Sequence, residues 1–304
     1  MSKPQPTNIA ASVEARLKNI ALERKLDYRF ILIRYAHERF LYRLSISPYA
    51  KKFVLKGGNL FVIWQKGRNF RPTVDSDMLC FGNAEPQHLR EVFQSVCQME
   101  GLPKDGMTFD PTSIEISSIR EEAEYGGIRV VLRAHLARAR VDLQFDIGTG
   151  DAITPAPKLT NFPVLLDGPI PRLKVYPMAT AIAEKAQAMV LHGVNNSRMK
   201  DFYDIWLLAE LFDHKYSTLR QAVCKTFERR NTAVPTLLPD CLSEEFMHLP
   251  IKQTQWNAFI RKNRLSEKPE NFTLAVSRIR DFLMPVFFPP TEAPAKWVAA
   301  QGWK

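Results

Sequence analysis

The stretch Lys56–Met78, KGGNLFVIWQKGRNFRPTVDSDM, decides how the rest of the chain is read. A glycine pair, Gly57-Gly58, opens an apolar run from Leu60 to Trp64, and after a short basic loop two aspartates stand two residues apart at Asp75 and Asp77. If Asp75-Ser76-Asp77 starts a strand that continues through Met78-Leu79-Cys80-Phe81, the two-residue period puts both carboxylates on one face. Two hard oxygen donors placed in this way suit Mg²⁺. The glycines let the backbone come close to a ligand, and the helical turn behind them would aim N–H groups at a phosphate. Together these features point to a site for a nucleoside triphosphate. Each has a plainer reading when taken alone, because D-x-D also occurs at turns and solvated strand ends. The order favours the site: glycines, apolar helix, Arg71-x-Thr73-x-Asp75-x-Asp77, apolar strand.

Working outward, Asn8 to Glu23 carries apolar residues three or four apart, which predicts an amphipathic helix capped by Thr7 or Asn8. A second helix is expected from Asp27, with Arg34 and His37, and Arg39 and Arg43, paired at helical spacing. Such pairs form a solvated face or, beside a nucleotide site, a surface for RNA phosphates, so Arg34, Arg39 and Arg43 are the candidate RNA contacts. Lys51 to Leu55 reads as a strand leading to the glycines, and Glu85 to Met99 as a helix. Alternating segments at Ser113–Ile119, Ile128–Leu136 and Ala139–Ile147 read as an antiparallel meander. The last of these sets Asp142, Gln144 and Asp146 on one face, so Asp146 can join the first two aspartates, with Asp142 a structural carboxylate. The proline-rich Thr154–Pro177 stretch is expected to hold no central strand and at most a short one at Val164–Leu166. Beyond it the pattern is helical, and the proline-containing tail is expected to be loosely held.

In 304 residues with 45% hydrophobic and 24% charged side chains there is material for one large or two ordinary domains. The formal charge of +10 favours a polyanionic partner, RNA before anionic lipid, over a merely basic surface. Four scattered cysteines offer neither metal-ligand spacing nor a disulfide framework. With no signal peptide and no long apolar run, the sequence reads as cytoplasmic, with no membrane partner.

A second group of charged residues lies downstream. Lys185 falls inside an apolar helix, and Arg198 precedes Asp201 and Asp204 on the next. Asp201 could simply cap its helix and pair with Lys185. However, Glu184-Lys185-x-x-Ala188-Met189 and Asn196-Ser197-Arg198-x-Lys200-Asp201-Phe202-Tyr203-Asp204 stand in order after the glycine–aspartate motif and Asp146-Ile147-Gly148-x-Gly150-Asp151. From about Ser12 to Leu211 this order resembles the AbiEii/AbiGii-type nucleotidyltransferases, the toxin halves of bacterial toxin-antitoxin pairs.

The resemblance implies an α+β fold: a polymerase-β-like nucleotidyltransferase core, a mixed sheet flanked by helices, over residues 1–172, and a helical domain over 173–304. It implies that Asp75 and Asp77 bind metal, Lys185 meets the nucleotide phosphates and Asp201 completes the site. With Asp146 these are the candidate catalytic residues, and Asp75, Asp77 and Asp146 are the candidate ligands for Mg²⁺ or Mn²⁺. Lys56, Gly57, Gly58, Asn59, Arg71, Thr73 and Arg198 are the candidate nucleotide contacts. Asn59 departs from the Ser or Thr common at its position, which removes a hydroxyl contact and leaves a backbone one. An ordinary surface ion pair is an alternative for Arg71 and Arg198. The implied activity is transfer of a nucleotide from an NTP to RNA such as a tRNA 3′ end, with a cognate antitoxin as partner. A non-catalytic nucleotide- or partner-binding module and a phosphotransferase acting on protein are the alternatives.

Overall fold

The computed structural model describes residues 8–65, 73–119, 126–265 and 267–304. Two compact units are present, one formed by the chain up to Gly150 together with Lys158–Val175, the other by Asp151–Pro157 together with Tyr176–Lys304.

The first unit begins with α1 (Ile9–Glu23), capped by the Asn8 side chain, and α2 (Tyr28–Ile46), capped by Asp27. β1 (Phe53–Lys56) then delivers the chain to the glycines, α3 (Asn59–Trp64) follows, and β2 (Asp75–Cys80) starts at the first aspartate. After α4 (Pro86–Cys97) come β3 (Met107–Ile119), β4 (Gly127–Leu136) and β5 (Ala139–Thr149), then the short β6 (Lys158–Asn161) and β7 (Arg172–Val175). Among the described residues these strands form one seven-stranded sheet in the order β3-β4-β5-β2-β1-β7-β6. The sheet is mixed, since β2 runs parallel to β5 and β1 parallel to β7. One face is covered: Phe145 of β5 meets Phe40 of α2 at 4.7 Å and Phe93 of α4 at 5.2 Å between ring centroids. Alternation along β5 then sends Asp142, Gln144 and Asp146 to the other face.

The second unit holds α5 (Met178–His192), α6 (Met199–Leu211), the two-residue β8 (His214–Lys215), α7 (Tyr216–Arg229), α8 (Glu244–His248), α9 (Pro250–Asn263) and α10 (Phe272–Phe287). The break expected at Pro250 falls between α8 and α9, where proline takes the first turn and its missing N–H costs no helical bond. β9 (Lys296–Val298) and β10 (Gly302–Trp303) complete a small sheet with β8.

Two expectations are corrected. The proline-rich stretch does contain strands, β6 and β7, and β7 is interior, paired to both β1 and β6, whereas Val164–Leu166 is not a strand. Four-residue strands fit because every proline lies outside them: Pro157 and Pro163 flank β6, and Pro171 and Pro177 flank β7. The tail is not loose. Trp297 is buried, donates from Nε1 to Ala209 O at 2.7 Å and packs on Phe282, with Trp303 stacked on the same ring. The aromatic residues among the prolines give the tail its anchor.

Candidate active site

Strand register assembles the acidic group. β2 lies beside β5 with Asp77 opposite Asp146 and Asp75 opposite Gln144, so the carboxylates of both strands share the face away from α2 and α4. Oxygens of Asp75, Asp77 and Asp146 all lie within 4.8 Å of one another, and each residue is partly exposed. Three hard donors at this spacing, open to solvent, fit a divalent cation of the Mg²⁺ or Mn²⁺ type.

The same rung continues on both sides, with Lys56 opposite Asp77 on β1 and Arg129 opposite Asp146 on β4. Arg129 was absent from the sequence-based candidates. Its Nε and Nη2 donate to the two Asp146 oxygens at 2.8 and 2.9 Å, and Gln144 Nε2 lies 3.3 Å from both. The hydrogen bond to Asp146 is the chief cause raising the Arg129 pKa, and Asp75 and Asp77 add to it against burial. The guanidinium is therefore a fixed positive charge beside three carboxylates. Four residues further along these strands, Arg133 bonds Asp142 at 3.1 Å, which makes Asp142 part of a cross-strand ion pair.

Gly57 explains the glycine pair. Its φ of +70° suits a residue without a side chain, and a Cβ built there would stand 1.8 Å from Asp77 Oδ2. Backbone and carboxylate thus touch. Asn59 is buried and its side-chain amide donates to Asp75 O at 3.1 Å and to Ser76 Oγ at 2.7 Å. The amide here ties the glycine turn to the first residues of β2. α3 has only six residues, and the amides of Leu60 and Phe61 already bond Gly57 O and Gly58 O. Thr73 is half-buried two residues before β2, and Arg71 lies outside the described residues.

Lys185 and Asp201 meet within the second unit. Lys185 Nζ lies 2.7 Å from Asp201 Oδ1 and 2.8 Å from Asp204 Oδ2, and Arg198 Nε lies 2.7 Å from Asp201 Oδ2. Both aspartates are fully buried. Burial alone would raise the Asp201 carboxyl, but Lys185 and then Arg198 outweigh it and hold the group well below the usual carboxylate range. A neighbouring cluster, unsuspected from sequence, joins Arg230 to Asp151 at 2.9 Å and to Glu184 at 3.4 Å.

The RNA face expected on α2 is corrected. Arg34, Arg39 and Arg43 are all buried. Arg39 pairs with Glu38 at 2.7 Å and donates to Pro169 O, while Arg43 forms a two-pronged bond to Asp105 at 2.7 and 3.2 Å. Most of α2 runs through the interior of its unit, so Arg39 and Arg43 brace loops, and they and Arg34 are withdrawn from phosphates.

A mixed sheet flanked by helices, an acidic triad on its open face and a helical second unit define the nucleotidyltransferase class, and sequence comparison agrees. The profile of the family described as "Nucleotidyl transferase AbiEii toxin, Type IV TA system" matches residues 39–282, and the chain belongs to that family. It is a nucleotidyltransferase of a toxin-antitoxin lineage. Among solved structures, one described as a candidate nucleotidyltransferase from H. pylori is 12% identical, with a TM-score of 0.48 over 86% of this chain and 96% of that one. JHP933 from Helicobacter pylori is 12% identical, with a TM-score of 0.49 over 86% of this chain and 93% of that one. No curated protein matches the chain significantly. Among the described residues no helix is long and apolar enough to cross a membrane.

Proposed function

We propose that the protein transfers a nucleotide from an NTP to an RNA acceptor such as a tRNA 3′ end, that it does so with Mg²⁺ or Mn²⁺, and that this makes it the toxin opposed by a cognate antitoxin. The observation that carries the reading is the convergence of Asp75, Asp77 and Asp146 within 4.8 Å, with the Gly57 backbone against Asp77. These three carboxylates would hold the cation, whose chemistry is to lower the pKa of an attacking hydroxyl and to stabilise the pyrophosphate leaving group. The chain supplies the rest. Asp77 is held in place by the close-packed Gly57 backbone, and Asn59 fixes the start of β2, so the donors are pre-set before substrate arrives. Lys56, on the same rung as Asp77, offers a positive charge to the phosphates.

The division into a nucleotidyltransferase domain and a helical domain belongs to the same proposal. Lys185, Asp201 and Arg198 are assigned to this reaction by resemblance, Lys185 as the phosphate cation; Arg71 and Thr73 are assigned to nucleotide contact on the same ground. The test is incubation of the purified protein with total RNA, Mg²⁺ and each α-labelled NTP in turn, beside Asp77→Ala. Label on a discrete RNA with one nucleotide, absent in the variant, is the expected result. Label on protein alone would favour the phosphotransferase reading, and no label would favour a binding module.

A further inference from the structure

With Arg34, Arg39 and Arg43 of α2 buried, the acceptor needs another surface, and strand register shows where positive charge collects. Paired residues on adjacent strands present side chains to the same face. Asp77 pairs with Lys56, Val54 pairs with Lys174, Lys174 with Leu159, and Arg172 with Asn161. Lys56, Lys174 and Arg172 therefore lie on the face of the triad, stepping from it toward the sheet edge at β6. At that edge is an open groove of about 740 Å³ whose lining includes Ile63, Leu159, Asn161, Val164, Ile170 and Arg172. Leu159 and Ile170 are exposed, at 54% and 50%.

Single-stranded nucleic acid is bound where cations track its phosphates and side chains, most often aromatic, give its bases a surface to lie on; at this edge the exposed apolar side chains are the aliphatic Leu159 and Ile170. We propose that the β6–β7 edge binds the single-stranded end of the acceptor RNA, with its bases against Leu159 and Ile170 and its phosphates along Arg172 and Lys174. The proposal rests on the RNA-transfer reading above and assigns a place to its acceptor. The groove lies three strand spacings from β2, about 14 Å, and runs open along an edge strand, so a chain can continue past it.

The experiment is fluorescence anisotropy of a labelled single-stranded RNA with the full-length protein in EDTA, which stops chemistry, across a salt series. Arg172→Gln/Lys174→Gln is expected to weaken binding about tenfold or more and to lower the salt slope by roughly 1.4, about 0.7 for each lost phosphate contact. Lys18→Gln/Arg24→Gln, on α1 and at its C-terminal cap, is expected to bind as wild type. Photocrosslinking of wild type with 4-thiouridine RNA is expected to label the peptide containing Leu159 or Ile170, and this readout does not depend on any variant folding. Equal affinity in wild type and the β7 variant, or crosslinks confined to other peptides, overturns the groove and leaves the transfer reading standing. Loss of NTP affinity with RNA affinity retained would make the groove a donor site, also against the proposal. Wild type without RNA affinity removes both the groove and the RNA acceptor.

Discussion

At Gly57 a side chain would begin 1.8 Å from Oδ2 of Asp77, in a backbone conformation that already disfavours one. Gly57→Ala should therefore move the carboxylate while leaving the fold intact, and a displacement of about 1 Å costs on the order of a hundredfold in rate. Rate measurement beside a thermal melt checks this, with a large loss of activity expected and a modestly lowered midpoint, since a residue with a Cβ is strained at this positive φ. Arg129 makes a complementary case. It occupies both Asp146 oxygens and adds positive charge where a cation would bind. Arg129→Gln is expected to tighten Mn²⁺ binding several-fold in a calorimetric titration without nucleotide; weaker binding would show instead that Arg129 orients Asp146 for the metal. The carboxylates and glycines were legible from their spacing, and Arg129 could have been. Counting outward equally from the Ala137–Arg138 turn pairs Arg129 with Asp146 and Arg133 with Asp142. The role of Asn59 was not legible, because no pattern in one strand says which way a neighbouring amide turns.

Between α5 and α6, Lys185 is shared by two buried carboxylates. Lys185→Met would take from both carboxylates the ammonium group they share, and removing one partner from a buried ion pair costs about 3–5 kcal/mol. Urea denaturation at neutral pH measures it. The pH dependence follows from Asp201. Its folded pKa is depressed below an unfolded value of about 3.9, so its stabilisation is present above that pH and fades as pH falls toward the folded value. The deficit of Lys185→Met should shrink below about pH 4 for that reason. In the tail, Trp297→Ala removes a buried ring, its bond to Ala209 O and its contact with Phe282, for an expected loss of about 3–5 kcal/mol. Helices were the most readable elements because their apolar spacing repeats over many residues. β6 and β7 escaped notice because four residues carry too little alternation to stand out among prolines. The spacing of Arg34, Arg39 and Arg43 on α2 was read correctly as helical. Their burial was set by partners as distant in sequence as Asp105 and Pro169, which no local pattern reveals.

For the whole molecule, the composition said that the chain is basic and the family says that it is a nucleotidyltransferase of a type IV toxin lineage. Much of the charge on α2 serves the interior, so the helical spacing of its basic residues pointed to a surface that the fold does not expose. Expression of the wild-type protein should arrest growth and Asp77→Ala should not; the variant should also melt no lower than wild type, because it relieves repulsion among three crowded carboxylates. The central claim is that a nucleotidyl group, and not a phosphoryl group, is transferred at these carboxylates. The most direct measurement compares α-labelled with γ-labelled NTP in parallel reactions on purified RNA with Mg²⁺, for wild type and Asp77→Ala. Retention of the α label on RNA, release of the γ label as pyrophosphate, and neither event in the variant is the expected result. Retention of the γ label on any acceptor, or transfer undiminished in Asp77→Ala, would contradict the account.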